Sequence, residues 1–390
     1  MLTSHSPIGV IGSGAMGSGI AQVAATAGHP VFIFDTNAQA LEKAEKNLMA
    51  GLEKLVQKNK LTEQQSDHIR SLHHFVRSTE ELKDCDLIIE AIVEQLDIKK
   101  SVFRDLESRC KPSCILASNT SSLSITSIAS ACSKPERVMG IHFFNPATLM
   151  PLVEIIPGLA TDPLLAEDAR RIVNSWGKTT VLAKDTPGFI VNRVARPFYS
   201  EALRIYEEGM ADMATIDWSM KELGGFKMGP FELMDLIGHD VNYVVTETVW
   251  QQFYYDPKFK PALTQKRLLE GGFLGRKSGR GFYNYAEGGV VPEPNKDPVK
   301  GRAIMERIVA MLMNEAADTV YLQVASVEDV DLAMTKGVNY PKGLLKWADE
   351  WGIENVCRIL QDLQQFYEED RYRLSPALKK KRLDKTGFYA

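Results

Sequence analysis

A short apolar run, Ile8 to Ile11, leads into Gly12-Ser13-Gly14-Ala15-Met16-Gly17. A helical pattern follows from Ser18 to Ala27, then a second apolar run, Val31–Phe34, and then Asp35. This order leaves a chain few choices of fold. An unbroken apolar run rich in β-branched residues reads as a parallel strand buried on both faces. The three glycines serve separate needs. Gly12 permits the tight turn, Gly14 lets the backbone approach a pyrophosphate, and Gly17 lets the next helix pack closely on the strand. The helix presents its free N–H groups and the positive end of its dipole to the phosphates. A carboxylate at Asp35 bonds both ribose hydroxyls and repels a 2′-phosphate, which favours NAD over NADP. The alternative, an ordinary glycine-rich turn, leaves the strand, helix, second strand and acid in register unexplained. Gly12, Gly14, Ala15, Met16, Gly17 and Asp35 are therefore the expected cofactor contacts.

At 390 residues the chain exceeds what one typical core encloses. A net charge of −4 offers no dominant basic surface to track phosphates, so nucleic acid is not an expected partner. No apolar stretch approaches the length of a membrane span, and Met1–Pro7 has no signal-peptide pattern. Five scattered cysteines without a C-x-x-C spacing suit a reducing compartment, so a cytoplasmic protein without a metal site is expected.

Strand and helix alternate over the first 180 or so residues. Expected strands are Ile8–Ile11, Val31–Phe34, Leu87–Glu90, Ile115–Ala117, Val138–His142 and Thr180–Leu182, with helices at Ala38–Asn59 and Ile98–Cys110 between them. The pattern implies a Rossmann-like, doubly wound α/β sheet over residues 1–186. From Pro187 helical patterns take over: Phe189–Glu208, Met213–Leu223, Pro230–Tyr255 and Pro261–Glu270. Glu201-Ala202 then recurs 114 residues on as Glu315-Ala316, and Ile216-Asp217 recurs as Val330-Asp331. Gly229, Asp235 and Gly238 recur as Gly343, Asp349 and Gly352, and Gly281-Phe282-Tyr283 returns as Gly387-Phe388-Tyr389. Co-linear Gly and Asp matches are rarely chance. The expected architecture is a first helical domain at 187–287, a Gly/Pro-rich linker at 288–301 and a second helical copy at 302–390.

In doubly wound sheets ligands sit beyond the carboxyl ends of the strands, so residues there are the candidates for chemistry. His142 ends an apolar run, and Glu154 lies twelve residues on inside another. A His–Glu pair suits a dehydrogenase: the imidazole takes the alcohol proton while hydride leaves the same carbon, and the carboxylate fixes the tautomer. Taken alone, His142 fits equally a core histidine satisfied by a backbone carbonyl. Ser118-Asn119-Thr120-Ser121-Ser122 reads either as a helix N-cap or as a hydroxyl source for the substrate oxygen. Asn192, in Asp185-Thr186-Pro187-Gly188-Phe189-Ile190-Val191-Asn192, reads as an exposed helix residue or as one reaching toward the first domain.

The glycine loop, Glu90-Ala91-Ile92-Val93-Glu94, Ser118–Ser122, His142-Phe143-Phe144-Asn145-Pro146, Asp185–Phe189, Met228–Leu233 and Gly275–Tyr283 together resemble the 3-hydroxyacyl-CoA dehydrogenase family. The resemblance implies NAD-dependent interconversion of (3S)-3-hydroxyacyl-CoA and 3-oxoacyl-CoA, with His142 as general base and Glu154 as its orienting partner. It implies that Ser121 and Asn192 bond the reacting 3-oxygen. It places Glu94, Lys99, Asn145 and Lys277 near NAD or the adjoining acyl-CoA. Where the family has a CoA-binding serine this chain has Gly51, and Lys58 or Lys60 stands for the lysine. Single-copy members resemble dimers joined through their helical domains. The tandem copy is therefore expected to make an internal pseudo-dimer without a second site, since the counterpart of Asn192 is Glu306; a homo-oligomer of the whole chain stays open. Thr186–Leu203 and Val338–Tyr340 resemble the 3-hydroxyadipyl-CoA dehydrogenases, which implies a short- or medium-chain substrate and makes Arg196 the candidate for a distal carboxylate. Two other readings are a CoA-independent β-hydroxyacid dehydrogenase of the same fold and a non-catalytic NAD-binding protein.

Overall fold

The structure is a computed structural model describing residues 2–290 and 292–389. Met1, Val291 and Ala390, which belong to the expected first domain, linker and last domain, lie outside the described residues. The chain divides into two compact units, Met1–Thr186 and Pro187–Ala390.

The first unit is built on an eight-stranded sheet. Its strands are β1 (Ile8–Ile11), β2 (Val31–Phe34), β3 (His73–Val76), β4 (Leu87–Glu90), β5 (Ile115–Ser118), β6 (Val138–Phe143), β7 (Leu152–Pro157) and β8 (Thr179–Leu182). Their spatial order is β3-β2-β1-β4-β5-β6-β7-β8. All neighbours run parallel except β6 and β7, which are antiparallel. Every residue of β1, β4, β5 and β6 is buried, as parallel central strands covered by helices on both faces require. The order reverses between β1 and β4, and this switch point is where such sheets open a crevice for a ligand.

Two strands escape the sequence reading. At the edge, β3 is only half apolar and carries His73 and His74. The β7 run surrounds Glu154, and a central carboxylate argues against a strand until its partner is known. The expected helix Ala38–Asn59 ends at Gln57, and the expected Ile98–Cys110 begins earlier, at Leu96.

In the second unit the expected long helices are broken. Phe189–Glu208 becomes Val191–Val194 and Arg196–Glu207, with Pro197 in the first turn of the latter. Pro230–Tyr255 becomes Pro230–Ile237 and His239–Gln252, parted at Gly238, whose φ of 95° does not belong to a helix. The repeat shares this break: Gly352, at φ 82°, parts Leu344–Trp351 from Ile353–Tyr367. The linker also ends sooner than expected. Asp297 caps a helix, Pro298–Tyr321, through Val299 and Lys300 N–H, because Pro is favoured at the first helical position as much as in a linker.

The two helical copies repeat their internal bonds. Asp217 accepts from the N–H groups of Phe231 and Glu232 and from Tyr283 Oη. Asp331 accepts from Leu345 N–H, Lys346 N–H and Tyr389 Oη. Asp235 holds Phe282 and Tyr283 N–H, and Asp349 holds Phe388 and Tyr389 N–H.

Candidate active site

The glycine loop leaves β1 at the switch point. Gly12 has φ 97°, and a Cβ there would lie 2.6 Å from the carbonyl oxygen of Ala91. A Cβ on Gly17 would lie 1.9 Å from the carbonyl oxygen of Gly12, so the helix Ala15–Thr26 packs against the turn only through glycine. Gly14 differs: a Cβ there meets nothing within 4 Å, and no side chain caps the helix it begins. The first N–H groups of a helix have no intrahelical acceptor, so the open side of Gly14 is lined by donors suited to an anion. The residues present therefore fit a dinucleotide.

Asp35, at the end of β2, accepts from Ser13 N–H and Ser13 Oγ, each at 2.8 Å, and from Asn37 N–H at 2.9 Å. Burial opposes its charge, but these bonds hold its carboxyl below the usual range. Asp35 thus braces the loop it was expected to serve. A groove of about 530 Å³ runs along Gly14, Ala15, Ser18 and Gln22, with Lys43 and Asn47 opposite and Pro146 at its end. Lys43 sits in a charged helical run where nothing in the sequence sets it apart.

His142 and Glu154 are directly paired across the antiparallel β6–β7 ladder. Cross-strand partners place their side chains on one face of the sheet, which is why residues twelve apart meet. The His142 Nδ1 to Glu154 Oε2 distance is 2.7 Å, with His142 4% and Glu154 0% exposed. With Nδ1 as the donor to Glu154, the lone pair that takes a proton belongs to Nε2. Phe144 lies against the imidazole at 4.6 Å between ring centroids.

Ser118 ends β5 and residues 119–122 are a loop; the helix cap is Ser124, at Ile125–Ala129. Asn119 Oδ1 accepts from Phe143 N–H at 2.8 Å, steadying the residue after His142. Glu94 Oε1 gathers the Thr120 hydroxyl and the N–H groups of Ser121 and Ser122. Burial opposes the charge of Glu94, while Lys99 and these donors hold it below the usual carboxylate range.

Lys99, expected beside the cofactor, is an internal residue at 1% exposure. Its ammonium lies 2.6 Å from buried Glu90 and 3.3 Å from Glu94, and Ser118 Oγ donates to the other oxygen of Glu90. A side chain so enclosed, its ammonium already paired with two carboxylates, anchors Glu94 from behind. Asn119, Glu90 and Ser118 lay inside the motifs read from the sequence, but their bracing bonds carried no signal there beyond a polar run after an apolar strand.

Asn145 is exposed in the β6–β7 loop. Lys58 and Lys60 are exposed past the helix Ala38–Gln57. In the second unit, Asn192 is the one residue between Gly188 and Ile205 that is not buried. Lys277 pairs with Asp240 at 2.5 Å, and Arg196 is buried at 5% exposure.

A family model described as 3-hydroxyacyl-CoA dehydrogenase, NAD binding domain, matches residues 7–186. That of the 3-hydroxyacyl-CoA dehydrogenase C-terminal domain matches twice, over 188–285 and 304–387. The chain belongs to the 3-hydroxyacyl-CoA dehydrogenase family. It is 37% identical, over 100% of both chains, to the 3-hydroxyadipyl-CoA dehydrogenase of Escherichia coli (strain K12). It is 40% identical to the 3-hydroxybutyryl-CoA dehydrogenase of Bradyrhizobium diazoefficiens, over 74% of this chain and 98% of that one. The crystal structure of 3-hydroxybutyryl-CoA dehydrogenase from Escherichia coli K12 is similar at a TM-score of 0.92 and 36% identity, covering 98% of this chain and 99% of that one. This family member carries the NAD-binding domain that the glycine loop and Asp35 predicted. The double match of the C-terminal model agrees with the internal repeat. Among the described residues no helix is long and apolar enough to cross a membrane.

Proposed function

We propose that this protein oxidises (3S)-3-hydroxyacyl-CoA thioesters reversibly to 3-oxoacyl-CoA with NAD, in the cytoplasm, on short- or medium-chain substrates that include dicarboxylic ones. The observation that carries the reading is the His142–Glu154 pair, buried at 2.7 Å in the NAD-binding domain. His142 Nε2 accepts the proton of the 3-hydroxyl, and Glu154 stabilises the imidazolium that results. NAD, when bound, supplies the hydride acceptor. Ser121 and Asn192 hold the reacting oxygen, and the Ser121 hydroxyl has no hydrogen-bond partner among the described residues. Glu94 fixes the Ser121 and Ser122 backbone and so aims that hydroxyl. Gly14 and the helix N-terminus receive the pyrophosphate, and Asp35 the ribose. Asn145 and Lys277 contact NAD or the acyl-CoA beside it, and Lys58 or Lys60 meets the CoA phosphates.

The tandem helical copy takes the place of a second subunit, as an internal pseudo-dimer. What supports this is a reciprocal exchange: Arg193 pairs with Glu315 at 2.6 Å, and their counterparts Arg307 and Glu201 pair at 3.0 Å. Residue i meeting j while j′ meets i′ is the mark of a two-fold interface.

The reaction is tested by following NADH absorbance with acetoacetyl-CoA, 3-oxoadipyl-CoA and the free 3-oxo acids, against NADPH. Oxidation of NADH by the thioesters is expected. Turnover of the free acids alone, or with NADPH alone, would contradict the proposal.

A further inference from the structure

Buried arginines in the second unit follow a rule. Arg193 pairs with Glu315, Arg204 with Glu201, Arg307 with Glu201 and Glu208, and Arg371 with Glu208 and Glu369. Arg196 breaks it. Its guanidinium donates one bond, from Nη1 to Thr246 Oγ1 at 3.0 Å, and lies 5.0 Å over the Tyr199 ring. Its buried Nε has no acceptor, and no carboxylate pairs with it among the described residues. A charge taken out of water is costly unless an opposite charge meets it. Burial pushes this guanidinium below its ordinary range, opposed only by Tyr199 and Tyr340.

The repeat shows that the helical fold does not require this arrangement. The counterparts of Arg196, Tyr199 and Thr246 in the second copy are Ala310, Met313 and Leu360, all fully buried. At these three positions the same helix pair packs on apolar side chains. The first copy therefore carries a cation that its packing can do without.

We infer that Arg196 is the receptor for the distal carboxylate of a dicarboxylic 3-hydroxyacyl thioester. The inference rests on the dehydrogenase reading above, which puts Asn192 at the 3-oxygen. Ala195 joins the two short helices in right-handed conformation, at φ −78° and ψ −11°, so Asn192 and Arg196 lie one turn apart. Residues so placed sit on one face with Cβ atoms about 5–6 Å apart. That spacing suits a substrate whose carboxylate carbon is three carbons beyond the one bearing the hydroxyl, as in a six-carbon diacid. A carboxylate offers the acceptors that Nε and Nη2 lack, in the forked geometry a guanidinium prefers.

The test is the ratio of kcat/KM for 3-oxoadipyl-CoA to that for acetoacetyl-CoA, in wild type, Arg196→Met and Arg196→Lys. Wild type is expected to favour the dicarboxylic thioester. Arg196→Met is expected to lower the ratio at least about 30-fold, as loss of one partner of a buried charge pair does, and Arg196→Lys to fall between. A ratio unchanged in Arg196→Met, with both activities falling in parallel, would overturn the inference and make Arg196 structural. Should Arg196→Met fail to fold, the wild-type preference and Arg196→Lys decide: no preference in wild type, or a ratio unmoved by lysine, overturns it equally. Activity on neither thioester would instead remove the dehydrogenase reading and this inference with it.

Discussion

Gly14 and Gly17 look alike in sequence and do opposite things. Gly17 is needed by the protein, because a Cβ there strikes the Gly12 carbonyl. Gly14 faces open space, as the proposed pyrophosphate site requires. Gly17→Ala should therefore destabilise the chain by about 1–3 kcal/mol in denaturant unfolding. Gly14→Ala should unfold at nearly the wild-type midpoint yet bind NAD at least tenfold more weakly by calorimetry. A Gly14→Ala protein with normal NAD affinity would show that the pyrophosphate lies elsewhere. Glu94 supplies a prediction in pH. Its carboxyl is lowered in the fold from an ordinary value of 4.5, so the stability it lends is complete above that pH. That stability is lost as pH falls through the lowered native value. Glu94→Gln should flatten the acid side of the melting-temperature profile, and a profile parallel to wild type would refute the bonding around Glu94.

At the level of elements, legibility followed burial and periodicity. Strands β1, β2, β4, β5 and β6 were readable because parallel central strands are continuous apolar runs. β3 was not, because an edge strand is half-solvated, and β7 was not, because Glu154 interrupts its apolar run. The register that pairs Glu154 with His142 is a tertiary fact with no local signal. Likewise Lys99 was expected beside the cofactor, and only the fold reveals Glu90 behind it. Helix breaks at Gly238 and Gly352 were hidden inside long apolar patterns, although the repeated glycines marked both. The repeated aspartates allow a test of these elements. Asp331 accepts two helix N–H groups and a tyrosine hydroxyl, so Asp331→Ala leaves the buried Leu345 N–H and two half-buried donors without their acceptor. It should cost about 2–3 kcal/mol, read by urea unfolding; a loss below ~0.5 kcal/mol would mean that water replaces the carboxylate.

Across the whole chain, the two helical copies meet through the reciprocal pairs Arg193–Glu315 and Arg307–Glu201, the contacts on which the proposed pseudo-dimer rests. Glu315 is its pivot, buried between Arg193 and Lys258. Glu315→Gln leaves buried Arg193 without a counter-charge, while Lys258 keeps Asp318, and should lower stability by about 3–5 kcal/mol in the full-length protein. A midpoint within experimental error of wild type would remove the reciprocal pairs from the account of how the copies are held.

The central claim is that the His142–Glu154 pair moves the substrate proton in an NAD-dependent oxidation. His142→Gln keeps a polar side chain on β6 and removes the base. Steady-state turnover of a 3-hydroxyacyl-CoA, with NAD binding measured alongside, should fall by roughly 10²–10⁴ while NAD affinity stays within a few-fold of wild type. Turnover within tenfold of wild type would contradict the account.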